Sequence, residues 1–252
     1  MASAANAFAL QTNRCTAVAA KTEIKKGGKP LLLRCFILKR GTMGMVMKMD
    51  ISLKEFGTYD LVVVGGGCTG VFAAVRAARL GLKVAIVEQS GCFGGVATNG
   101  LVNIWHSLYD VDGKEQIIAG LTEEVERALC KDGFAVTENT PSAGIHFDPN
   151  AMKWVLDRLV RENGVHAFLH TFYGTLVQKG SQIERIVVSN KDGMGTLSAR
   201  FFIDATGDGD LCRDVGLPRY TSSSIQPPSP CCIFSGKING DIATLMTEHG
   251  AE

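Results

Sequence analysis

Leu61-Val62-Val63-Val64 is an unbroken apolar run, the pattern of a parallel strand buried on both faces. After Gly70 the small residues Ala73, Ala74, Ala77 and Ala78 predict a slim helix packed on strands, ended by Gly81. Residues 83–87 return to the sheet, which completes a βαβ unit. Residues 101–108 form an apolar segment containing His106, and 110–114 a polar turn. Leu121, Val125 and Leu129 recur at four-residue steps and predict a helix over 117–131. Asp148-Pro149 offers an N-cap acceptor and a first-turn proline. Met152, Val155, Leu156, Leu159 and Val160 then make one apolar stripe, and Asn163-Gly164 stops that helix. Residues 165–169 are expected to be a third parallel strand. Residues 174–178, 183–189 and 195–198 read as a small antiparallel meander, with turns at Lys179-Gly180 and Asp192-Gly193. Residues 201–204 lead back to the main sheet. From Thr221 a Ser/Pro-rich loop begins, and 233–238 is expected to open a strand of a second domain.

The first strand runs into Gly65-x-Gly67-x-x-Gly70, and the second ends at Glu88, about 18 residues after Gly70. Each position has a physical reason in a site for the ADP half of a dinucleotide. Gly65 permits the tight turn, Gly67 leaves room for a pyrophosphate, and Gly70 lets the helix approach the sheet. The helix start presents free N–H groups and a positive dipole end to phosphate. A carboxylate at Glu88 suits ribose hydroxyls and repels a 2′-phosphate.

Charge changes the picture at the N-terminus. Net charge is +1, yet residues 1–49 hold nine Lys/Arg and one acid, leaving 17 basic and 24 acidic residues in the remainder. The body is therefore no nucleic-acid binder by charge. Residues 1–50 form a basic leader with no strand–turn logic. It reads either as a plastid or mitochondrial transit peptide or as a disordered or wrongly assigned start, with the true start at Met43, Met45, Met47 or Met49. The corresponding expectations for location are cytoplasm, or one of those organelles. No apolar run is long enough for a bilayer; 31–38 comes nearest and is broken by Arg34. Eight cysteines show no zinc-site spacing, and neither Cys68 nor Cys92 belongs to a redox pair, which disfavours a disulfide reductase.

Beyond Glu88 the chain enters a glycine-dense loop, residues 90–100, able to wrap a long cofactor with its backbone. Much later, residues 200–210 are another buried strand emptying into the turn Ala205-Thr206-Gly207-Asp208-Gly209-Asp210. The segments VVVGGGCTG, VEQSGCFGGVATNGLV, FDPNAMKWVLDRLV and FFIDATGDGDL, in that order, resemble the FAD-dependent oxidoreductase family of the glutathione-reductase-like flavoprotein fold. The resemblance covers about residues 58–240. It implies an α/β, Rossmann-like FAD/NAD(P)-binding domain over 58–220, and the incomplete start of a substrate domain over 221–252. The missing remainder would make this the N-terminal part of a longer enzyme.

The resemblance further implies extended FAD, with Gly65, Gly67 and Gly70 at the pyrophosphate and Glu88 at the adenosine ribose. Gly94, Gly95 and Thr98 would lie along the cofactor, and Gly207 and Asp208 near its phosphate or ribityl part. Gly66, Cys68, Thr69, Gln89, Ala97, Ala205 and Thr206 complete the cofactor-binding set. The expected partner is a small-molecule substrate, with neither nucleic acid nor membrane, and a homo-oligomer is one way to cover the flavin. His106 is the one histidine near the cofactor loop and so a candidate polar group at the ring; packing beside Trp105 is the other reading. Asp208 and Asp210 read as turn and cofactor contacts rather than a catalytic pair. Alternatives to the FAD oxidoreductase are an NAD-binding or thiazole-synthesis-like dinucleotide protein, or an inactive FAD-binding fragment. Nothing in the sequence points to a metal site or a hydrolase.

Overall fold

A computed structural model describes residues 52–137, 144–218, 220, 231 and 233, and the backbone of 18–23 and 32–37. The chain divides into two compact units, Met1–Thr221 and Ser222–Glu252. The expected loop and strand after Thr221 lie almost wholly outside the described residues, as do the candidate starts at Met43 to Met49.

Within the leader, β1 (Val18–Glu23) and β2 (Leu32–Ile37) pair antiparallel, with Val18 opposite Ile37. This corrects the expectation of no strand logic there: two apolar-rich runs flank Gly27-Gly28, a turn-type pair. The main sheet is built from β3 (Lys54–Val64), β4 (Val84–Val87), β8 (His166–Phe168), β9 (Phe172–Lys179), β10 (Gln182–Asn190) and β11 (Gly193–Asp204). Its order is β8-β4-β3-β11-β10-β9, parallel from β8 to β11 and antiparallel from β11 to β9. Residues 195–198 and 201–204, expected as separate strands, are one strand. Its first half pairs with β10, and from Gly195 to Asp204 it follows β3 in parallel. The meander is thus a continuation of the main sheet. A three-stranded antiparallel sheet, β5 (Ile104–Trp105), β7 (Ile145–Phe147) and β6 (Ala135–Thr137), stands apart from it.

Alternation along the parallel strands assigns their two faces. Leu61, Val63, Val84 and Ile86 share one core with α1 (Cys68–Arg79), α2 (Leu121–Lys131) and α3 (Pro149–Glu162). Val62, Val64, Ala85 and Val87 share the other with Leu176, Ile186, Val188 and Leu197 of the meander, and with Leu211 of the short α4 (Asp210–Asp214). A central strand covered on both faces has no polar side, which is why its sequence does not alternate.

The helices follow their signals with one exception. Asp148 accepts hydrogen bonds from the Asn150 and Ala151 N–H groups at 2.7 and 2.9 Å, and Pro149 opens α3. Met152, Val155, Leu156, Leu159 and Val160 are all buried, each worth roughly 1.5–3 kcal/mol on transfer from water. α1 stops at Gly81, where φ is +88°. The helix expected over 117–131 begins only at Leu121. Gly120 breaks it with φ 76° and ψ −127°, and the Ile117 and Ile118 N–H groups donate to the Leu108 carbonyl instead.

Candidate functional site

The C-terminal ends of β3, β4 and β11 meet the N-terminus of α1 at a cavity of about 890 Å³. That is where an open parallel sheet gathers ligands. Gly65, Gly67, Cys68, Thr69, Glu88, Gln89, Gly94, Gly95, Ala97, Ala205, Thr206, Gly207 and Asp208 all line it, and so does His106. Three expected site residues stand behind the wall. Gly66 is packed where a Cβ would lie 2.7 Å from the Glu88 Cβ. Gly70 faces the Gly65 carbonyl, which a Cβ would meet at 1.9 Å. Thr98 is fully buried, and its hydroxyl donates to the Phe93 carbonyl at 2.8 Å. Thr98 therefore shapes the glycine loop from below, and its side chain is spent on the turn.

The three motif glycines do different work. Gly65 has φ +103°, and a Cβ there would sit 2.1 Å from the Ala205 carbonyl oxygen, so the β3 and β11 turns touch only because it is glycine. Gly70 allows the helix–strand contact. Gly67, the N-cap of α1, has φ −62° and ψ 172°, a conformation open to any residue, and a Cβ there would meet nothing within 4 Å. The fold itself does not need glycine at this point. Across from it the Gly94 N–H donates to the Gly66 carbonyl at 2.8 Å, and Gly95 lies so close that a Cβ would be 3.2 Å from the Gly67 Cα. The second glycine loop is thus laid directly over the helix start. α1 has no side-chain cap and no acid in its first turn, so its leading amides and positive dipole end are uncompensated.

Glu88 is 8% exposed, and its carboxylate accepts the Gly66 and Ser90 N–H groups, each at 2.7 Å. A carboxylate has about four acceptor positions, so two remain for a diol. Cys68 donates weakly to the Gly94 carbonyl at 3.6 Å, and burial pushes its thiol up to about 11. Asp204, at the end of β11, organises the turn beyond it. It accepts the Thr206 hydroxyl at 2.8 Å and the Cys212 N–H at 2.9 Å. Burial works to raise its carboxyl, but those hydrogen bonds outweigh it and hold the group below the ordinary carboxylate range. Asp210 is engaged by Arg213 at 2.7 Å, while Asp208 is exposed. The two do not act as a carboxylate pair.

The cradle at Gly67, flanked by glycine backbone, a helix N-terminus and a carboxylate with acceptor capacity to spare, fits a dinucleotide diphosphate and its ribose. The sequence reading missed the wall formed by Thr171, Phe172 and Tyr173, which line the same cavity. Their signal was position: they directly follow the C-terminal end of a parallel strand. Trp105 on the far wall packs edge-on against Phe72 of α1 and Phe147 of β7. Among the described residues no group of three or more potential metal ligands occurs, and no helix is long and apolar enough to cross a membrane.

The family model described as FAD dependent oxidoreductase matches residues 60–243. A dihydrolipoyl dehydrogenase of Trypanosoma brucei brucei is 57% identical over 31% of this chain and 22% of its own length. Digeranylgeranylglycerophospholipid reductase 2 of Methanothermobacter thermautotrophicus is 24% identical over 72% of this chain and 47% of its own. The chain thus spans less than half the length of either relative. Among solved structures, a geranylgeranyl bacteriochlorophyll reductase-like protein of Thermoplasma acidophilum superposes with a TM-score of 0.46 at 18% identity, covering 64% of this chain and 42% of that one. The family model spans most of the chain, cofactor cavity included, and the chain belongs to the FAD dependent oxidoreductase family.

Proposed function

We propose that the cavity holds FAD in extended form and that the chain serves the flavin-dependent oxidation or reduction of a small molecule. Gly67, the first-turn amides of α1, and Gly94 and Gly95 would hold the diphosphate. Glu88 takes the adenosine ribose, and the turn from Ala205 to Asp208 flanks the ribityl side. Bound flavin supplies two-electron redox chemistry; the protein contributes position, water exclusion and proton handling. His106, exposed on the cavity wall beside Trp105, is the candidate polar group at the flavin ring. Cys68 belongs to no C-x-x-C or longer redox pair, and burial pushes its thiol up to about 11, so this reading gives it no redox role.

The observation that carries this reading is Gly67, a glycine the backbone does not require, facing open space at a helix N-terminus. Heat-denaturing the protein after mild purification tests it. A released yellow chromophore that chromatographs as FAD is expected. Release of NAD alone, with no affinity for flavin, overturns the cofactor assignment. His106→Gln is expected to slow turnover of the flavin-loaded chain with an artificial electron acceptor without changing its FAD content.

A further inference from the structure

We propose that a second cavity, at the other end of the parallel strands from the cofactor site, binds a compact carboxylic acid with an apolar body. The cavity measures about 610 Å³ and lies where α3 turns into β8, beside the start of β4 and Tyr59 of β3. It shares no lining residue with the cofactor cavity, which takes the C-terminal ends of the same strands. Val84, Val160 and Val165 give it an apolar wall, and a few polar groups converge on it: Lys83, Arg161, His166 and Asp157. A volume of this order and an apolar wall with few, placed polar groups are the marks of a small-molecule site, which run from roughly 300 to 1,000 Å³.

The polar groups set the ligand's charge. Tyr59 is 5% exposed, and its hydroxyl meets His166 Nδ1. Burial raises the phenol, so it keeps its proton, and among the described residues Nδ1 is the acceptor it has. With Tyr59 donating, the imidazole proton sits on Nε2, which becomes a donor. The His166 ring is exposed, yet it is also stacked on Phe168 at 4.6 Å and edge-on to Tyr59 at 5.6 Å. An exposed imidazole held by one hydrogen bond and two rings is pre-positioned. The Lys83 ammonium stands over the same Tyr59 ring, 4.9 Å from its centre. Arg161 makes no ion pair among the described residues, not even with Asp157 one turn before it on α3. Nor are the cations spent on the end of that helix. The Leu159, Val160 and Arg161 carbonyls accept from the Asn163, Val165 and Gly164 N–H groups. Two cations and a neutral donor against one acid call for an anion. The planar guanidinium matches the two oxygens of a carboxylate, and the valine wall suits an apolar remainder.

Calorimetric titration of the full chain with benzoate, benzamide and inorganic phosphate tests this. Benzoate should bind, and benzamide, its uncharged counterpart, should bind about tenfold more weakly or less well still, as should phosphate, which has no apolar body. Lys83→Gln and Arg161→Gln should each weaken benzoate about tenfold, as loss of a charge-assisted hydrogen bond does. Both side chains belong to exposed residues, so the melting temperature should not move. FAD should leave benzoate affinity unchanged. The proposal is overturned if the parent binds no benzoate, if benzamide or phosphate binds as tightly, or if both variants bind benzoate like the parent. Displacement of benzoate by FAD also overturns it, since that would put the acid in the cofactor cavity.

Discussion

Gly67→Ala should make the cofactor-free chain more stable and its FAD complex weaker. The native φ of −62° and ψ of 172° suit alanine, and the new methyl would meet nothing within 4 Å. The folded state is therefore not strained, while the unfolded chain loses freedom, a gain of about 0.4–1 kcal/mol. For a domain of this size that raises the melting temperature by roughly 1–4 °C. The same methyl occupies the cradle. If it displaces even one charge-assisted hydrogen bond to the diphosphate, about 1.5–3 kcal/mol is lost, or about 10- to 150-fold in Kd. The neighbouring motif glycines behave oppositely. A Cβ at Gly70 would lie 1.9 Å from the Gly65 oxygen, and one at Gly65 would lie 2.1 Å from the Ala205 oxygen with φ at +103°. Both clashes are with backbone, so Gly65→Ala and Gly70→Ala should lower stability by several kcal/mol, above the roughly 1–3 kcal/mol typical of overpacking. Urea melts of the apo proteins and flavin-fluorescence titrations separate the cases. The reasoning is refuted if Gly67→Ala destabilises the apo chain as Gly70→Ala does, or if it binds FAD like the parent.

Glu88→Ala should weaken FAD binding about tenfold or more through loss of charged hydrogen bonds to the ribose, read by the same titration; unchanged affinity removes Glu88 from the site. Asp204→Asn should destabilise the fold by on the order of 2 kcal/mol at neutral pH, because an amide cannot accept the Thr206 and Cys212 donors as a carboxylate does. The folded Asp204 carboxyl lies below its ordinary value, so its contribution is complete above about pH 4 and is lost as pH falls through the folded value; thermal melts should show parent and variant converging in acid. Arg79 bonds Glu124 at 2.7 and 2.8 Å and Asn163 at 2.9 Å, tying α1 to α2 and to the end of α3. The pair is partly exposed, so Arg79→Met should cost only about 0.5–1 kcal/mol in melts, and less at high salt.

What was legible in the sequence was local. The run from Leu61 to Val64, the glycine spacing, the slim alanine face and the Asp148-Pro149 cap each act within one or two turns of chain, and each is found where its pattern predicts it. The boundaries that failed depend on a competitor. At 117–120 the apolar period continues through Gly120, but its positive φ and the Leu108 carbonyl claim the backbone first. The pattern of β11 looked like two strands because its burial changes midway: it is deeply buried where it lies between β3 and β10, and more open where β10 no longer flanks it. The Thr171–Tyr173 wall was invisible because its place beside Glu88 comes from contacts made across 80 or so residues of chain, none of which has a sequence period.

The glycine motif shows where such reading must stop. In sequence, Gly65, Gly67 and Gly70 are equivalent letters in one fingerprint, and a glycine count cannot divide them. In the structure, two are required by the fold's own backbone contacts, and would be glycine in a protein that binds nothing. Only Gly67 is unexplained by the chain itself. A motif becomes evidence for a ligand at the position where its residue answers no internal need, and here that position faces the cavity, the helix dipole and the second glycine loop together. Features that the fold holds rigid without using are the ones a bound molecule explains.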